Sequence, residues 1–276
     1  MPEPHAQIEQ ANASGRTPAV FVHGLWLLAS SWDRWAQLFD EAGYAPVLPG
    51  WPDDPETVEQ ARARPEVFAN KTVGQVADHF AGAIAKLDAK PVVIGHSFGG
   101  TLAQILAGRG LAAATVSISP APYRGVLPLP LSTLRAAGPV LANPLNRKRA
   151  VTLTSKQFRY AFANAVDEAE AASLYATYHV AAPGAPLFQG ATANLNPRSE
   201  LKVDTDNPDR GPLLILSGEK DNTVPWSIAN AGYKRQKRNA GVTEIVAIPG
   251  RGHSLTIDGG WREVAEKALE FAKRFV

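Results

Sequence analysis

Ser97 lies between an apolar run and a helix-forming run, in the stretch PVVIGHSFGGTLAQILAG. Gly95 and Gly99 stand two positions to either side of it. A turn that leads a strand directly into a helix strains the serine backbone, and larger flanking side chains would collide there. Such a turn holds the hydroxyl clear of the sheet, near the positive end of the next helix. The pattern predicts an exposed nucleophile; the alternative is a glycine-rich turn whose serine only caps a helix.

A serine nucleophile needs a base, and the base needs an acid that orients it. In this strand–turn–helix context the expected chain order is serine, acid, histidine. Asp221 ends the apolar run PLLILSGEKD, and His253 follows the last β-rich run in IPGRGHSLT. Because the carboxyl ends of parallel strands meet at one sheet edge, these two side chains are the candidates for partners of Ser97.

Other acids and histidines fit this arrangement less well. Glu219 precedes the last turn after its strand, and Asp258 follows His253 too closely to orient it from the far side. His23 and His96 precede tight turns, so we interpret them as structural or pocket-lining. Asp54 follows a strand end, where solvation in a loop explains it.

Acyl transfer also requires donors for the oxyanion that develops on the substrate. The N–H of Phe98, directly after the serine, is one candidate. The loop HGLW supplies the other, because Gly24 permits a tight turn that aims the N–H of Leu25 into the site. The alternative for this loop is a plain strand-to-helix turn.

The pattern along the chain predicts an α/β fold. Strands and helices alternate over residues 17–119 and again over 211–276, which is typical of a parallel sheet covered by helices on both faces. Residues 120–210 have a proline-rich start, helical patterns and no convincing buried strand, and predict a mostly helical insertion. Residues 1–16 are polar and turn-rich, and predict a flexible leader.

Composition excludes several classes of function. The absence of cysteine excludes disulfides, thiolate chemistry and Cys-ligated metals. The formal net charge of +2 is too small to indicate a nucleic-acid partner, and the basic runs at 146–149 and 234–238 are interpreted as solvated helix faces. No run approaches the apolar length of a membrane helix, and the N-terminus has no signal-peptide pattern. We therefore expect a cytoplasmic protein without a membrane or nucleic-acid partner.

Four motifs in order carry a resemblance to a known family. They are VFVHGLW (20–26), VVIGHSFGG (92–100), SGEKDNTVP (217–225) and PGRGHSLT (249–256). Together they resemble the α/β-hydrolase superfamily, in its serine esterase and cofactor-free haloperoxidase-like branch. The resemblance implies a helical cap over the site, entered after the strand that follows the nucleophile helix. About 16 residues precede the first strand, which favours a sheet of about six strands over eight.

The resemblance also implies roles for the candidate residues. Ser97 would be the nucleophile, His253 the general base and Asp221 its orienting acid, with an oxyanion hole formed by the N–H groups of Leu25 and Phe98. Leu25 occupies a position where many members carry an aromatic residue. Trp26 is therefore expected to form that wall of the substrate site.

A serine nucleophile predicts attack on a carbonyl carbon, with no metal or organic cofactor required. Our leading hypothesis is hydrolysis of a small, fairly apolar carboxylic ester, lactone or thioester, with Trp26, Phe98 and Trp226 near the pocket. The alternatives are a cofactor-free haloperoxidase or perhydrolase, a carbon–carbon bond hydrolase, or a ligand receptor that retains the triad. The sequence indicates no oligomeric state.

Overall fold

A parallel sheet organises the protein, whose computed structural model describes residues 4–276. The eight strands in that range are β1 (Pro18–Val22), β2 (Ala45–Val47), β3 (Val92–His96), β4 (Ala114–Ile118), β5 (Ala150–Val151), β6 (Ala182–Pro183), β7 (Leu213–Gly218) and β8 (Thr243–Ile248). Six of them form one sheet in the order β2-β1-β3-β4-β7-β8, and all its neighbouring strands are parallel. The predicted sheet of about six strands is confirmed.

Eleven helices are found within residues 4–276. They are α1 (Pro4–Ser14), α2 (Asp33–Glu41), α3 (Val58–Ala63), α4 (Val73–Ile84), α5 (Phe98–Gly108), α6 (Leu131–Leu141), α7 (Ser155–Ala161), α8 (Glu168–Tyr178), α9 (Ala185–Thr192), α10 (Trp226–Gln236) and α11 (Trp261–Lys273). Short 3₁₀ helices span Ala29–Trp32, Pro65–Phe68, Pro144–Lys148 and Pro208–Arg210. No helix in the described range is long and apolar enough to cross a membrane.

Helices cover both faces of the sheet. Successive side chains of a strand point to opposite faces, so each strand contributes to two apolar clusters. Val20 and Val22 of β1 lie in an apolar cluster with residues of α4 and α5. Phe21 between them lies in a second cluster with residues of α2 and α11. Strands β1, β3, β4 and β7 are buried along their whole length, which explains their continuous apolar runs. The predicted helices on both faces are therefore confirmed.

The predicted flexible leader is wrong for the part that the structure describes. Residues Pro4–Ser14 form α1, in which Ile8 and Ala11 are buried in the core. The side chain of Asn12 donates to Lys86 O at 2.8 Å and accepts from Asp88 N at 3.0 Å. The helix has few apolar residues and no clear apolar stripe, so tertiary contacts hold it and its sequence gave no periodic signal. Residues 1–3 of the predicted leader lie outside the described residues.

Residues 120–210 contain four helices, α6 to α9, and a small antiparallel ladder. The ladder pairs β5 with β6 and was not predicted, because two-residue strands leave no pattern in the sequence. The division of the chain into a core and a cap remains a prediction.

A buried arginine, Arg210, lies next to the amino ends of β7 and β8. Arg210 is 0% exposed, and its guanidinium donates to Gly211 O, Gln236 O and Oε1, Gly241 O, Val242 O and Thr243 Oγ1. Within residues 4–276 it forms no ion pair. Its charge is therefore stabilised mainly by carbonyl oxygens. The same hydrogen bonds connect the start of β7 with the end of α10 and the start of β8.

Arg210→Met is expected to lower the free energy of unfolding by about 3 kcal/mol, because several buried carbonyl groups lose their donor. Urea denaturation of the two proteins measures the difference. Arg238→Met removes the same charge from an exposed position and should change stability by less than about 0.5 kcal/mol. Equal stabilities for the two variants would contradict the interpretation of Arg210 as a structural tie.

Candidate active site

Ser97 occupies the strained turn that its flanking glycines predict. Its backbone has φ 58° and ψ −122°, in the left-handed half of conformational space that side chains disfavour. A Cβ on Gly95 would lie 2.0 Å from Gly99 O, and a Cβ on Gly99 would lie 2.0 Å from Val22 O. Neither approach is sterically possible, so both positions require glycine, as the sequence analysis predicted. The turn places the hydroxyl between the end of β3 and the start of α5.

Three side chains from the same edge of the sheet meet at this turn. Ser97 follows β3, Asp221 follows β7 and His253 follows β8. His253 Nε2 lies 3.0 Å from Ser97 Oγ, and His253 Nδ1 lies 2.7 Å from Asp221 Oδ2. All three residues are buried. In this order the carboxylate can hold the imidazole in the tautomer whose free nitrogen accepts the hydroxyl proton.

The carboxylate of Asp221 is held from two sides. Its Oδ1 accepts the N–H groups of Thr223 and Val224, each at 2.8 Å, while Oδ2 faces His253. Burial alone would raise the pKa of Asp221, but His253 and the Val224 N–H keep that pKa below its ordinary value. The carboxylate is therefore ionised at neutral pH and fixed in orientation.

The rival acids are bound elsewhere. Glu219 is exposed, and its Oε2 accepts Gly250 N at 2.7 Å. Asp258 forms an ion pair with Arg251, and the hydroxyl of Ser254 donates to its Oδ2 at 3.0 Å. Asp221, and neither of these acids, is the hydrogen-bond partner of the His253 ring.

The two predicted oxyanion donors belong to segments next to Ser97. Phe98 is the first residue of α5, so its N–H belongs to the helix turn that has no intrahelical acceptor. A Cβ on Gly24 would lie 2.8 Å from the Cβ of Ser97, which shows how closely this loop packs against the serine. Leu25 follows directly, and Trp26 turns the loop with φ 65°. The role of Leu25 and Phe98 as oxyanion donors remains a prediction.

His96 supports the position of His253. It is 1% exposed, its Nε2 lies 2.9 Å from His253 O, and the two ring centroids lie 4.7 Å apart. Burial, and secondarily the neighbouring His253, lower the pKa of His96 to about 3. His96 is thus neutral near pH 7, and its N–H fixes the backbone of the loop that carries His253. Of the two interpretations given to it from the sequence, the structural one is confirmed.

The interpretation of Asp54 as a solvated loop residue is wrong. Its side chain is 8% exposed, and Oδ2 lies 2.8 Å from His23 Nε2 and accepts Trp51 N at 2.9 Å. The other nitrogen of the His23 ring lies 2.9 Å from Gly24 O, and the indole of Trp51 donates to His23 O at 3.1 Å. These contacts brace the loop that contains Leu25. No local pattern predicts these contacts, because His23 and Asp54 lie 31 positions apart in the chain.

An apolar cavity of about 180 Å³ opens above Ser97. Its wall includes Trp26, Phe98, Tyr123, Leu127, Leu129, Thr133, Leu134, Phe162, Leu187, Asn194, Val224 and His253. Among residues 4–276, no Asp, Glu, Lys or Arg lines it. Trp26 lies in the wall, with its indole N–H donating to Val151 O at 3.0 Å, and its role in binding substrate stays a prediction. Trp226 is 38% exposed and does not line the cavity, although Val224, two positions earlier, does.

The buried neutral histidines predict a loss of stability in acid. His96 has a folded-state pKa of about 3 against an ordinary 6.5, so between these values the unfolded chain binds a proton that the folded chain does not. Its contribution to stability is complete above pH 6.5 and is lost as the pH falls toward 3. His179, whose pKa burial and then Arg62 lower to about 4, acts in the same direction.

We expect His96→Gln to reduce the stability lost between pH 7 and pH 5 by about 2 kcal/mol relative to the parent protein. Urea denaturation at both pH values measures the difference. His5→Gln, at an exposed position, should leave the pH dependence unchanged. An unchanged pH dependence in His96→Gln would show that His96 is already protonated in the folded state at pH 5.

Sequence comparison places the chain in a family. The sequence model of the alpha/beta hydrolase family matches residues 19–267. The protein belongs to the alpha/beta hydrolase family. Among curated protein sequences, none matches this chain.

Solved structures of this family share the fold. A monoacylglycerol lipase from Paleococcus ferrophilus has a TM-score of 0.63 at 18% identity, with 92% of this chain and 94% of that chain covered. An extracellular alpha/beta-hydrolase from a Paenibacillus species has a TM-score of 0.64 at 20% identity, covering 92% and 98%. A candidate non-heme bromoperoxidase from Mycobacterium tuberculosis has a TM-score of 0.63 at 18% identity, covering 94% and 91%.

Proposed function

We propose that this protein is a serine hydrolase that cleaves a small, apolar carboxylic ester through an acyl-enzyme on Ser97. The observation that carries the proposal is the unbroken chain of contacts from Asp221 through His253 to Ser97, at 2.7 and 3.0 Å, at the floor of an uncharged cavity. The lipase among the structural relatives supports an ester substrate on this fold.

The reaction follows from this geometry. His253 Nε2 takes the proton of Ser97 as Oγ forms a bond to the ester carbonyl carbon, and the carbonyl oxygen becomes an oxyanion. The N–H groups of Leu25 and Phe98 would donate to that oxyanion. His253 then protonates the departing alcohol as the carbon–oxygen bond breaks. Water, deprotonated by the same nitrogen, attacks the acyl-enzyme and releases the acid and the serine.

Asp221 stabilises the imidazolium that forms in each half of the reaction. Its Oδ2 faces His253 Nδ1, so the positive charge develops beside a fixed carboxylate that forms no other ion pair in the described part of the chain. The Thr223 and Val224 N–H groups keep the carboxylate from rotating away.

The lining of the cavity supports an uncharged ester as the substrate. Because no ionised side chain lines it, a charged acyl or alcohol group would lose its hydration without gaining a partner. An apolar cavity of about 150 Å³ holds a benzene-sized molecule, so the space here suits a short acyl chain or a single ring. The hydroxyl of Thr133 is buried in this wall and has no hydrogen-bond partner within residues 4–276. It provides a polar contact for an oxygen of the substrate.

The test is a panel of p-nitrophenyl esters with acyl chains from two to twelve carbons. We expect turnover that is highest for short to medium chains, with an initial burst of p-nitrophenol of one equivalent per protein. A parallel assay with bromide and peroxide in acetate measures halogenation. Absence of ester turnover across the panel, or halogenation without ester turnover, would contradict the proposed function.

A further inference from the structure

Large apolar side chains lie exposed at the mouth of the cavity. Leu127, Leu129 and Leu134 are 75%, 61% and 42% exposed, and each of them also lines the cavity. Leu131 is 83% exposed and Leu145 is 62% exposed, and neither lines the cavity. Single exposed leucines are ordinary, but a group of them around the mouth of a pocket indicates an interaction surface.

Exposed basic residues follow the exposed leucines along α6 and the segment after it. Leu131, Leu134 and Arg135 are separated by three and four positions on α6, so they share one side of that helix. The helix ends at Leu141, and the exposed 3₁₀ helix Pro144–Lys148 follows directly and packs against α6.

Charge along this part of the chain has one sign. Residues 89–166 contain no Asp or Glu, and seven Lys or Arg residues fall within 120–166. Exposed members of this set that form no ion pair in the described part of the chain are Arg135, Arg147, Lys148, Arg149 and Lys156. Arg159 pairs with Glu168 at 3.7 Å. For a protein with a formal net charge of only +2, this is a concentrated basic region.

We propose that this surface docks the protein on an anionic lipid surface. The surface, here called the leucine–arginine face, consists of Leu127, Leu129, Leu131, Leu134, Leu145, Arg135, Arg147, Lys148 and Arg149. Leucines that enter the boundary between headgroups and acyl chains, flanked by basic side chains that attract anionic headgroups, are the combination by which proteins bind the membrane interface without crossing it. The proposal replaces the expectation, drawn from the sequence, that no membrane takes part.

A second copy of the chain or a nucleic acid would complement only one of the two kinds of side chain on this surface. Two copies of the leucine–arginine face would bring like charges together, since no carboxylate in residues 120–166 could neutralise the opposing arginines. A nucleic acid would neutralise the arginines but would leave the leucines without an apolar environment. A lipid surface supplies both a negative charge and an apolar phase.

Docking at this face would place the cavity mouth against the lipid, because three of its leucines belong to both. An apolar ester dissolved in the lipid would then reach Ser97 without crossing water. This consequence rests on the proposed function, whereas lipid binding itself does not.

The test is co-sedimentation of the full chain with phosphatidylcholine vesicles and with vesicles that also contain 30% phosphatidylglycerol. We expect binding to the anionic vesicles that weakens as salt is raised. Leu131→Ser should lower the partition coefficient about tenfold, because one exposed leucine no longer enters the lipid. Arg147→Ser with Lys148→Ser should lower it about 25-fold, since each basic residue near the surface contributes about fivefold.

Matched controls lie at the opposite edge of the sheet. Lys86 and Lys90 are exposed just before β3, and their double substitution by Ser removes the same charge. Val242 is 42% exposed just before β8, and Val242→Ser removes an apolar side chain. Both controls should bind vesicles as the parent protein does. Leu131→Ser should still hydrolyse a water-soluble ester at the parent rate, because Leu131 is outside the cavity wall.

Equal binding to neutral and anionic vesicles would overturn the proposal, and so would unchanged binding in the variants of the leucine–arginine face. A third contradicting result is a parent dimer, measured by light scattering, that Leu131→Ser dissociates while neither protein binds vesicles. Ser97→Ala should bind vesicles like the parent. Vesicle binding without any ester turnover would therefore support the docking surface and contradict only the proposed function.

Discussion

Ser97→Ala is expected to lower kcat/KM for p-nitrophenyl esters by about 10⁴-fold or more, to near the rate in buffer. The substitution removes the oxygen that attacks the carbonyl, while His253 and Asp221 keep their mutual contact at 2.7 Å. Alanine also fits the space, because it removes only one buried oxygen from the turn. The loss should therefore appear in activity and not in folding. Initial rates and the burst of p-nitrophenol measure it.

A neighbouring serine provides the control for that result. Ser254 is also buried, directly follows His253 and donates its hydroxyl to Asp258 at 3.0 Å. Ser254→Ala should keep activity within a few-fold of the parent. Retention of more than a tenth of the activity in Ser97→Ala, with its burst intact, would show that another group is acylated.

Asp221→Asn is expected to lower kcat by about 10⁴-fold. The asparagine carbonyl can keep the contacts to the Thr223 and Val224 N–H groups, and its amide then donates to His253 Nδ1. The ring proton must move to Nε2, which points at Ser97 Oγ from 3.0 Å and can no longer accept a proton. The structure is preserved and the base is lost. Steady-state kinetics with a saturating short ester measure the decrease.

Glu219→Gln distinguishes this effect from a general loss of negative charge. Glu219 lies two positions before Asp221 but is exposed and bonded to Gly250 N. Its substitution should leave kcat within about twofold of the parent. A 10³-fold loss in Glu219→Gln together with an active Asp221→Asn would reverse the assignment of the orienting acid. Ser97→Ala combined with Asp221→Asn should be no slower than Ser97→Ala alone, because both act on one unit.

The ends of the strands could be predicted because each is marked by residues next to it in the sequence. Continuous apolar runs mark β3 and β7 as strands buried on both faces, and the glycines around Ser97 mark a turn that other residues cannot form. Parallel strands bring their carboxyl ends to one edge, so Asp221 and His253 could be placed near Ser97 from the order of the chain alone. The steric part of this prediction is confirmed by the 2.0 Å approaches at Gly95 and Gly99.

Features that depend on distant contacts could not be predicted. The helix α1 has too few apolar residues for a periodic signal and is held by Ile8 and by the bonds of Asn12 to residues near α4. The local sequence around Asp54 indicates a solvated loop residue, but in the folded chain its carboxylate contacts His23. Trp226 follows Asp221 closely along the chain, yet its side chain is 38% exposed and is not part of the cavity wall.

By itself, the sequence determined the parallel sheet, the turn at Ser97 and the edge at which chemistry takes place, because backbone sterics and alternation of buried runs act over a few residues. Only the tertiary structure decided that His96 supports the position of His253, that Asp54 meets His23, and that the cavity is uncharged with exposed leucines at its mouth. Those properties depend on the packing of segments that are far apart in the chain, and no local pattern fixes how such segments meet.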